Sequence, residues 1–437
     1  MKFYLLKMNV FGVKNIDKEV ELKFSNQQIK SGADLRKYNV KAIYGANGAG
    51  KTALIYGAEI YRKFVLDRDY LPVHNSNFSL FNLINQNKKE MSVKMTFAVL
   101  DDADNLKNIY AHTISFQFVN GRYQVKKELL LKLHGKRINE ESKYQQIYCV
   151  ENGAISTEQK ELEEMCANVV VDRSVVSHLF EYSLNNINKL VFEDIFNVGL
   201  FARSLTVMIY TCDTNYIDLN HITRQIQTIT KYQNQMDEST FAQLMVKQCL
   251  LDSDETIVDK KNYEKFIKNV KNMCSFLKVF KPNLKNIKIK KDEKGSQYIC
   301  NLVFEYENGL KIARQYESAG IKKLMSIYYA LCNVERGGIV FIDELDANIH
   351  DVVLLRLVEY IREYTNGQLI FTTHNLAPME VLQKDKFSID FLSSDSEITS
   401  WIASGNSSAA RFYRKGLIKY SPFNIEAFSF LGVFGDE

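Results

Sequence analysis

The chain has 437 residues, of which 46% are hydrophobic, 12% aromatic and 25% charged, proportions typical of a globular protein with a large core. At roughly 150 residues per domain, this length allows two or three structural units. The net charge of +4 comes from 56 basic and 52 acidic residues, so any binding to nucleic acid would need a local basic patch.

The seven cysteines are widely spaced and form no CxxC pair, which predicts reduced packing residues in an intracellular protein. The first residues lack the features of a signal peptide. No run reaches the roughly 18 apolar residues that a membrane helix needs. We therefore expect a cytoplasmic protein with no membrane partner.

The N-terminal part reads as strands around one strand–turn–helix unit. A strand pattern covers Lys2 to Val13, and residues 37–65 then predict a strand, a glycine-rich turn and a helix. Three alternating segments follow, at residues 91–100, 109–118 and 121–131. Asn120-Gly121 is a good hairpin turn between the last two, so we expect an antiparallel sheet beside the first unit.

The middle of the chain has a different pattern, because turn signals thin out between about Thr157 and Phe280 and helical spacing takes over. One helix face collects Tyr263, Phe266, Ile267, Val270, Met273, Cys274 and Leu277. Sustained heptads are missing, which favours a compact helical insertion over a coiled-coil arm.

Strands return from Asn286, and buried-type strands at residues 339–342 and 369–371 end in polar residues. We therefore predict an α/β fold in which two halves of one head, a mixed sheet plus an antiparallel β subdomain, are separated by a compact α-helical insertion. The predicted units are residues 1–155, 156–284 and 285–437.

The most specific motif is GANGAGKT, a complete GxxxxGK[ST] sequence between a predicted strand and a predicted helix. Its glycines let backbone N–H groups face phosphates at a helix N-terminus. Lys51 would reach the β and γ phosphates, and Thr52 would bind Mg²⁺. The candidate nucleotide-binding residues are Gly45, Asn47, Gly48, Gly50, Lys51 and Thr52.

Two acidic residues follow the buried strand at 339–342. A buried carboxylate is costly unless paired, so Asp343 is predicted at the strand tip, facing a cation such as Mg²⁺. Glu344 fits a general base that orients the attacking water. The alternative is a pair of strand-end acids in solvent, and the neighbouring phosphate loop makes that alternative less favourable.

His374 follows the next apolar strand and fits a switch histidine that senses the γ-phosphate. Ahead of both strands, the segment QYESAGIKKLMSIYYAL places a Ser-x-Gly step at the start of a helix, where free N–H groups can bind phosphate. Ser318 and Gly320 are therefore predicted to complete the nucleotide site of a second subunit. The alternative is an ordinary N-cap at Ser318.

The four motifs together resemble the ATP-binding-cassette ATPases of the SMC/RecF/OLD type. The ESxGxKK signature and the DELD…H box look like those of bacterial immunity ATPases, such as AriA of the PARIS system, AbiLi and PtuA of Septu. The resemblance covers about Lys2–Leu130 and Asn286–Phe434, which includes the C-terminal segment RFYRKGLIKYSPFNIEAFSFLGVFG.

This resemblance implies an ATPase in which ATP and Mg²⁺ are held between two head domains, giving a homodimer or a higher homo-oligomer. Asp346 would lie in the loop that contacts the partner across the dimer. Gln86 is the best candidate for the glutamine that contacts the metal, with an ordinary loop residue as the alternative. Lys14 and Asn15 would lie near the nucleotide base.

Two function classes remain open. The first is a defence sensor and scaffold that controls a separately encoded effector, such as a nuclease, after a DNA or phage-protein trigger. The second is a RecF-like repair ATPase that clamps DNA. Nuclease chemistry is not expected here, since Asp390, Asp395 and Glu397 read as solvated acids on a sheet-edge hairpin. The basic run 285–294 fits an ordinary exposed hairpin better than a DNA contact.

Overall fold

A computed structural model describes residues 1–25, 35–76, 79–133, 143–166, 171–185, 192–209, 255–402 and 408–418. The strands are β1 (Lys2–Phe11), β2 (Val20–Lys23), β3 (Val40–Tyr44), β4 (Glu90–Leu100), β5 (Leu106–Val119), β6 (Arg122–Leu133), β7 (Tyr144–Glu151), β8 (Ala154–Ser156), β9 (Leu205–Met208), β10 (Glu255–Asp259), β11 (Leu284–Lys294), β12 (Gln297–Tyr306), β13 (Lys311–Ala313), β14 (Ile339–Ile342), β15 (Gln368–Thr372), β16 (Ile389–Leu392) and β17 (Ile398–Ser400).

The helices are α1 (Lys51–Leu66), α2 (Tyr70–Ser76), α3 (Leu80–Leu83), α4 (Lys160–Cys166), α5 (Val175–Asn185), α6 (Glu193–Ser204), α7 (Tyr263–Phe280), α8 (Ala319–Glu335), α9 (Asp351–Tyr364), α10 (Ala377–Leu382) and α11 (Ala409–Arg414). Among the described residues, no helix is both long enough and apolar enough to cross a membrane.

The first sheet is antiparallel, with strand order β2-β1-β4-β5-β6-β7-β8. Its longest pairing joins β4 to β5, and β5 then turns into β6 at Asn120 and Gly121, whose φ angles are +51° and +81°. Positive φ at both central residues is the geometry of a type I′ hairpin turn. The predicted antiparallel sheet and its Asn-Gly turn are therefore confirmed.

The central sheet has strand order β17-β16-β3-β15-β14-β9 and is parallel except for the edge strand β17. Every residue of β3, β14 and β15 is buried, as expected for parallel strands covered on both faces. Because these three strands run in the same direction, their carboxyl ends meet at one edge of the sheet, where ligands bind in open α/β folds.

A smaller sheet carries α7 on one face, with strand order β10-β12-β11 and β13 beside β12. The buried face of α7 contains five of the seven residues of the predicted face, Phe266, Val270, Met273, Cys274 and Leu277, while Tyr263 and Ile267 are half-buried. On another side, α7 contacts α8, because the ring of Phe276 lies 5.5 Å from the ring of Tyr328.

The predicted insertion, residues 156–284, contributes more than helices. Its helices α5 and α6 pack in the same core as α1, and Phe201 of α6 stacks on Phe97 of the first sheet with ring centroids 3.8 Å apart. Its strand β9 pairs with β14, and β10 pairs with β12. The described parts are thus integrated into the head, while the boundaries of the three units stay a prediction.

One expectation about the C-terminal hairpin was wrong. Asp390 of β16 is 1% exposed and forms an ion pair with Lys41 of β3, which is equally buried, whereas Asp395 and Glu397 are exposed. Ser400 also donates to Asp390, with 2.6 Å between Oγ and Oδ1. The parallel pairing of β16 with β3 brings the carboxylate inside, because an ion pair compensates part of the cost of burial.

The described elements thus form the mixed α/β head that the sequence predicts, with an antiparallel β sheet beside a mostly parallel one. Most of the C-terminal segment used in the resemblance, from residue 419 onward, lies outside the described residues.

Candidate functional site

The GANGAGKT segment forms a loop between β3 and α1, as predicted, and α1 begins at Lys51. Gly50 has φ +103°, a conformation that residues with a Cβ rarely adopt. Gly45 lies so close to the neighbouring strand that a Cβ there would be 2.4 Å from the carbonyl oxygen of Leu392. The glycines at these two positions are therefore required by the shape of the loop itself.

The side chain of Lys51 lies along this loop. Its ammonium donates hydrogen bonds to the carbonyl oxygens of Gly45 and Ala46, at 2.9 and 3.0 Å. Burial lowers the pKa of Lys51, and the negative charge of Asp343 is the largest effect that opposes this shift. The ammonium is thus a cation held in the electrostatic field of the acidic strand end.

Thr52 and Asn15 are the two further residues beside the loop. Asn47 and Gly48 are exposed at its tip, and Thr52 is half-buried in the first turn of α1. Asn15 donates a hydrogen bond of 2.6 Å from Nδ2 to the carbonyl oxygen of Gly48. The segment after β1, predicted to lie near the nucleotide, therefore contacts the phosphate loop directly.

The acidic strand end follows β14. Asp343 is 2% exposed, and its Oδ1 accepts a 2.6 Å hydrogen bond from the hydroxyl of Thr372 at the end of β15. The same hydroxyl accepts a 2.8 Å bond from the backbone N–H of Glu344. One threonine on the neighbouring strand therefore fixes both acidic residues.

Glu344 has an unusual backbone, with φ +49°, in the left-handed region that costs free energy for a residue with a side chain. Its side chain is exposed, unlike that of Asp343. Its carbonyl oxygen accepts hydrogen bonds from the Ala347 N–H at 3.1 Å and from the Lys323 ammonium at 2.6 Å. The exposed carboxylate thus extends from a turn whose N–H and carbonyl groups are fixed by hydrogen bonds.

His374 and Asp346 lie beside each other across the strand ends. The backbone N–H of His374 donates a 3.3 Å hydrogen bond to Oδ2 of Asp346. Partial burial lowers the pKa of His374, and the positive charge of Lys51 lowers it further, while Asp346 and Glu344 oppose the shift. The structure therefore brings Lys51, Asp343, Glu344, Asp346 and His374 into one electrostatically coupled group.

The Ser-x-Gly step begins α8, and Ser318 is its N-cap, with Oγ accepting a 3.3 Å bond from the Ile321 N–H. Ser318 is thus an N-cap, which was the alternative to phosphate binding. Capping leaves other N–H groups of the first turn free, so it does not conflict with a second role for them. The preceding Glu317 is buried and accepts bonds from the Tyr306 hydroxyl and the Ser318 N–H, at 2.5 and 3.2 Å.

Gly320 lies in the same turn, near the loop that follows β14. A Cβ on Gly320 would lie 3.5 Å from the Cβ of Asn348, which is an ordinary van der Waals distance. Nothing inside the described part of the protomer therefore requires glycine at this position.

Gln86 lies in an exposed turn. Its neighbour Asn85 is buried and donates to the carbonyl oxygen of Lys14 at 2.8 Å, which ties this turn to the segment that carries Asn15. No contact joins Gln86 to the phosphate loop among the contacts of the described residues, so its role as a metal ligand stays a prediction.

Sequence reasoning missed two residues of this site. Thr372 could have been suspected, since it directly precedes Thr373 and His374 at the end of a buried strand. Lys323 gives no such signal, because Lys322 and Lys323 are identical neighbours, and only the structure shows that Lys323 is 1% exposed whereas Lys322 is half-buried.

The donor atoms fit the group that the motif implies. Hydroxyl oxygen from Thr52 and carboxylate oxygen from Asp343 are the hard ligands that Mg²⁺ prefers. The loop amides and Lys51 fit the phosphates of a nucleotide. The residues that would hold a nucleotide with Mg²⁺ are thus those of the phosphate loop and the β14 strand end.

A family described as "AAA domain, putative AbiEii toxin, Type IV TA system" matches residues 231–380, which include the Ser-x-Gly step, the acidic strand end and His374. This match covers about a third of the chain and lacks the phosphate loop. No curated protein matched the chain.

Solved structures whose backbone follows a similar path include SMC head domains. The Pyrococcus furiosus Smc head bound to the C-terminal domain of ScpA has 14% identity and a TM-score of 0.45, over 91% of this chain and 96% of that one. The Pyrococcus yayanosii Smc head has 13% identity and a TM-score of 0.43, over 95% and 100%. The Thermotoga maritima SMC head has 13% identity and a TM-score of 0.32, over 92% and 100%. These scores are too low to carry an argument, so the description of the site rests on its own geometry.

Proposed function

We propose that this protein binds and hydrolyses ATP with Mg²⁺ in the cytoplasm, as the sensor and scaffold subunit of a bacterial anti-phage defence system. One observation carries the ATPase assignment. The phosphate loop, the acidic strand end and His374 follow three neighbouring parallel strands, β3, β14 and β15, and their charges are coupled. This is the arrangement that phosphoryl transfer needs, because catalysis there is mainly positioning and electrostatic stabilisation.

Binding would use the groups around α1. The Lys51 ammonium would exchange the carbonyl oxygens of Gly45 and Ala46 for phosphate oxygens, which carry more negative charge. Thr52 and Asp343 would hold Mg²⁺, which neutralises charge on the phosphates when it is bound. Lys51→Ala should therefore abolish nucleotide binding, measured with a fluorescent ATP analogue.

Pairing of two heads is supported by the start of α8 and by Asp346. Ser318 and Gly320 present a helix N-terminus that would meet the nucleotide of a second copy. Oδ1 of Asp346 is buried and has no hydrogen-bond partner among the described residues. A buried oxygen without a donor costs roughly 1–3 kcal/mol, so a donor from the partner protomer would stabilise the assembled state.

Hydrolysis would require a base and a group that responds to the γ-phosphate. Glu344 is the exposed carboxylate of the site and would accept a proton from the attacking water. His374, with its lowered pKa, would be neutral at pH 7 and could bond the γ-phosphate oxygens as a donor. Glu344→Gln should keep ATP binding and lose turnover, and normal turnover by this variant would overturn the catalytic assignment.

The defence role is supported by the family description of residues 231–380, which names an AbiEii-type toxin, and by the signature step with its DELD…H box. In this role the protein would hold or release a separately encoded effector, such as a nuclease, according to its nucleotide state. The trigger would be DNA or a phage protein.

The test compares two variants that lock opposite states. Tagged Glu344→Gln and Lys51→Ala proteins are expressed with the native flanking genes, and co-purified proteins are identified by mass spectrometry. We expect a stoichiometric partner encoded nearby whose retention differs between the two variants. Recovery of repair proteins and DNA instead, with no such partner, would overturn the defence assignment.

One feature favours a second candidate function, a DNA-binding ATPase. Between residues 260 and 294 the chain has twelve lysines and three acidic residues, a net charge of +9, although the whole chain carries +4. Lys265, Lys268, Lys271 and Lys278 are exposed on α7, and α7 contacts α8. A row of lysines on one helix suits contact with a phosphate backbone.

The second function is tested by binding of a fluorescent DNA duplex at several salt concentrations. Replacing Lys268, Lys271 and Lys278 by Glu should abolish binding if α7 is the contact surface. As a control, replacing Lys2, Lys107 and Lys384 by Glu changes the net charge equally and should have less effect. Equal losses in both variants would show only a response to net charge.

A further inference from the structure

Lys323 is a buried cation that the reaction scheme above leaves without a role. It lies in the second turn of α8, is 1% exposed, and donates a 2.6 Å hydrogen bond from Nζ to the carbonyl oxygen of Glu344. Burial lowers its pKa, while Glu344, Asp346 and Asp343 oppose the shift. An ammonium is costly to bury, so its retention at this position needs a reason.

The reason lies in the conformation of Glu344. With φ +49° its backbone is in the left-handed region, which persists only where surrounding contacts impose it. The Thr372 hydroxyl accepts a 2.8 Å hydrogen bond from its N–H, and the Lys323 ammonium donates one to its carbonyl oxygen. This fixed backbone sets the position of the Glu344 Cβ, from which the exposed side chain extends.

The first turn of the same helix also lies close to this loop, since a Cβ on Gly320 would be 3.5 Å from the Cβ of Asn348. α8 is therefore hydrogen-bonded to the Glu344 turn through Lys323, and its first turn lies close to the loop that follows. Because α8 is a continuous helix of 17 residues, a shift of its first turn moves Lys323 as well.

We infer that Lys323 is a positioning residue for hydrolysis, through which α8 holds the Glu344 carboxylate in the direction of the attacking water. This inference rests on the proposed ATPase function and adds a role that the motifs do not assign. Lys323 itself touches neither nucleotide nor water in this scheme, and it acts through Glu344.

The test uses steady-state ATP hydrolysis and nucleotide binding by the full-length protein. Lys323→Met keeps the aliphatic chain and removes the ammonium, so kcat should fall by about 10²-fold, since misplacement of a reacting group costs roughly that much. The affinity for a fluorescent ATP analogue should not change, because Lys51 and the loop are intact. Lys323→Arg keeps a donor and should recover part of the lost kcat.

A double variant shows whether Lys323 acts through Glu344. In a Glu344→Gln protein, single-turnover hydrolysis is already slow, and adding Lys323→Met should slow it no further, because the positioned carboxylate is gone. An additional slowing as large as that in the wild-type background would overturn the inference. So would an Arg variant no better than the Met variant.

The matched control is Lys41→Met, which removes another 1%-exposed ammonium at a distance from the acidic strand end. It should lower the melting temperature but keep kcat at a temperature where both variants are folded. If Lys323→Met loses ATP affinity and melting temperature together with kcat, its role is structural and the inference fails. If the wild-type protein hydrolyses no ATP, the proposed function fails first, whereas an active wild type with an equally active Lys323→Met fails this inference alone.

Discussion

The hydroxyl of Thr372 donates a 2.6 Å hydrogen bond to the carboxylate of Asp343, across two neighbouring parallel strands. The same oxygen accepts the N–H of Glu344, and both Thr372 and Asp343 are buried. One hydroxyl group therefore orients both the proposed metal ligand, Asp343, and the proposed base, Glu344. This hydroxyl belongs to a third residue, on the neighbouring strand.

Replacing Thr372 by Val removes this hydroxyl and keeps the shape of the side chain. We expect the Mg²⁺ concentration for half-maximal ATP hydrolysis to rise by about 10–100-fold, the usual cost of losing a residue that orients a metal ligand. A magnesium titration of the hydrolysis rate measures the change.

Two further variants serve as controls for Thr372. Thr372→Ser keeps the hydroxyl and should stay close to wild type. Thr373→Val changes the next buried threonine, whose hydroxyl accepts from the Asn375 N–H and does not contact the acids. A Thr372→Val protein with an unchanged magnesium titration would show that Asp343 needs no such support.

Local patterns were enough to predict the strands and the loop of the site. The apolar run Ile339–Ile342 and the GANGAGKT loop have signals within ten residues, namely continuous hydrophobicity and glycine spacing, so their structure follows from nearby sequence. Because parallel strands place their carboxyl ends at one edge, the meeting of Asp343 with His374 could also be predicted.

Long-range packing decided what the sequence could not predict. Lys322 and Lys323 differ only in the direction that the helix gives them, and this direction depends on where α8 lies against the β14 loop. Asp390 is followed by exposed acids, so its pattern indicates solvent, yet pairing with β3 buries it. Strand β9 is four residues long and joins the sheet from a region of helical spacing.

Gly320 tests whether a second protomer approaches α8. Since a Cβ at this position meets only ordinary contacts within the protomer, Gly320→Ala should fold normally and gain helix stability of up to about 1 kcal/mol. If a nucleotide of the partner lies against this turn, the added methyl should weaken ATP-dependent dimerisation. Light scattering after gel filtration, in a Glu344→Gln background with ATP and Mg²⁺, measures the dimer, and an unaffected dimer would rule out close approach at Gly320.

Ser318 separates capping from phosphate binding. Aspartate is as good an N-cap as serine, so Ser318→Asp should keep the melting temperature, while its negative charge should repel the partner's phosphates and prevent the ATP-dependent dimer. Ser318→Ala should instead cost about 1 kcal/mol in the free energy of unfolding. An Asp variant that still dimerises would leave Ser318 with its capping role alone.

His374 gives a prediction about pH. Its pKa lies below the ordinary value of 6.5, because partial desolvation of the ring and the positive charge of Lys51 disfavour the charged form. The unfolded chain therefore binds this proton more strongly, so the contribution of His374 to stability is complete above pH 6.5 and is lost as the pH falls below that value. Titration of the ring by NMR in the nucleotide-free protein should show the lowered midpoint.

The cause of the His374 shift can be tested separately. Lys51→Met removes the nearby cation and should raise the midpoint of His374 towards the ordinary value. Lys63→Met, which changes a lysine paired with Glu59 on the same helix, should leave it in place. Equal midpoints in wild type and Lys51→Met would mean that Lys51 does not lie close enough to act on the ring.

The Lys41–Asp390 pair gives a stability prediction that is independent of nucleotide. Both side chains are 1% exposed, and removing one partner would leave a buried charge uncompensated, which typically costs about 3–5 kcal/mol. Lys41→Met should therefore lower the free energy of unfolding by this amount in urea denaturation, and Lys41→Met with Asp390→Leu should recover much of the loss. The exposed pair of Lys2 and Asp104 is the control, since Lys2→Met should cost less than about 1 kcal/mol. If Lys41→Met lowers the free energy of unfolding as little as Lys2→Met does, water reaches Lys41. In that case β16 is held to β3 by its backbone hydrogen bonds and apolar contacts alone.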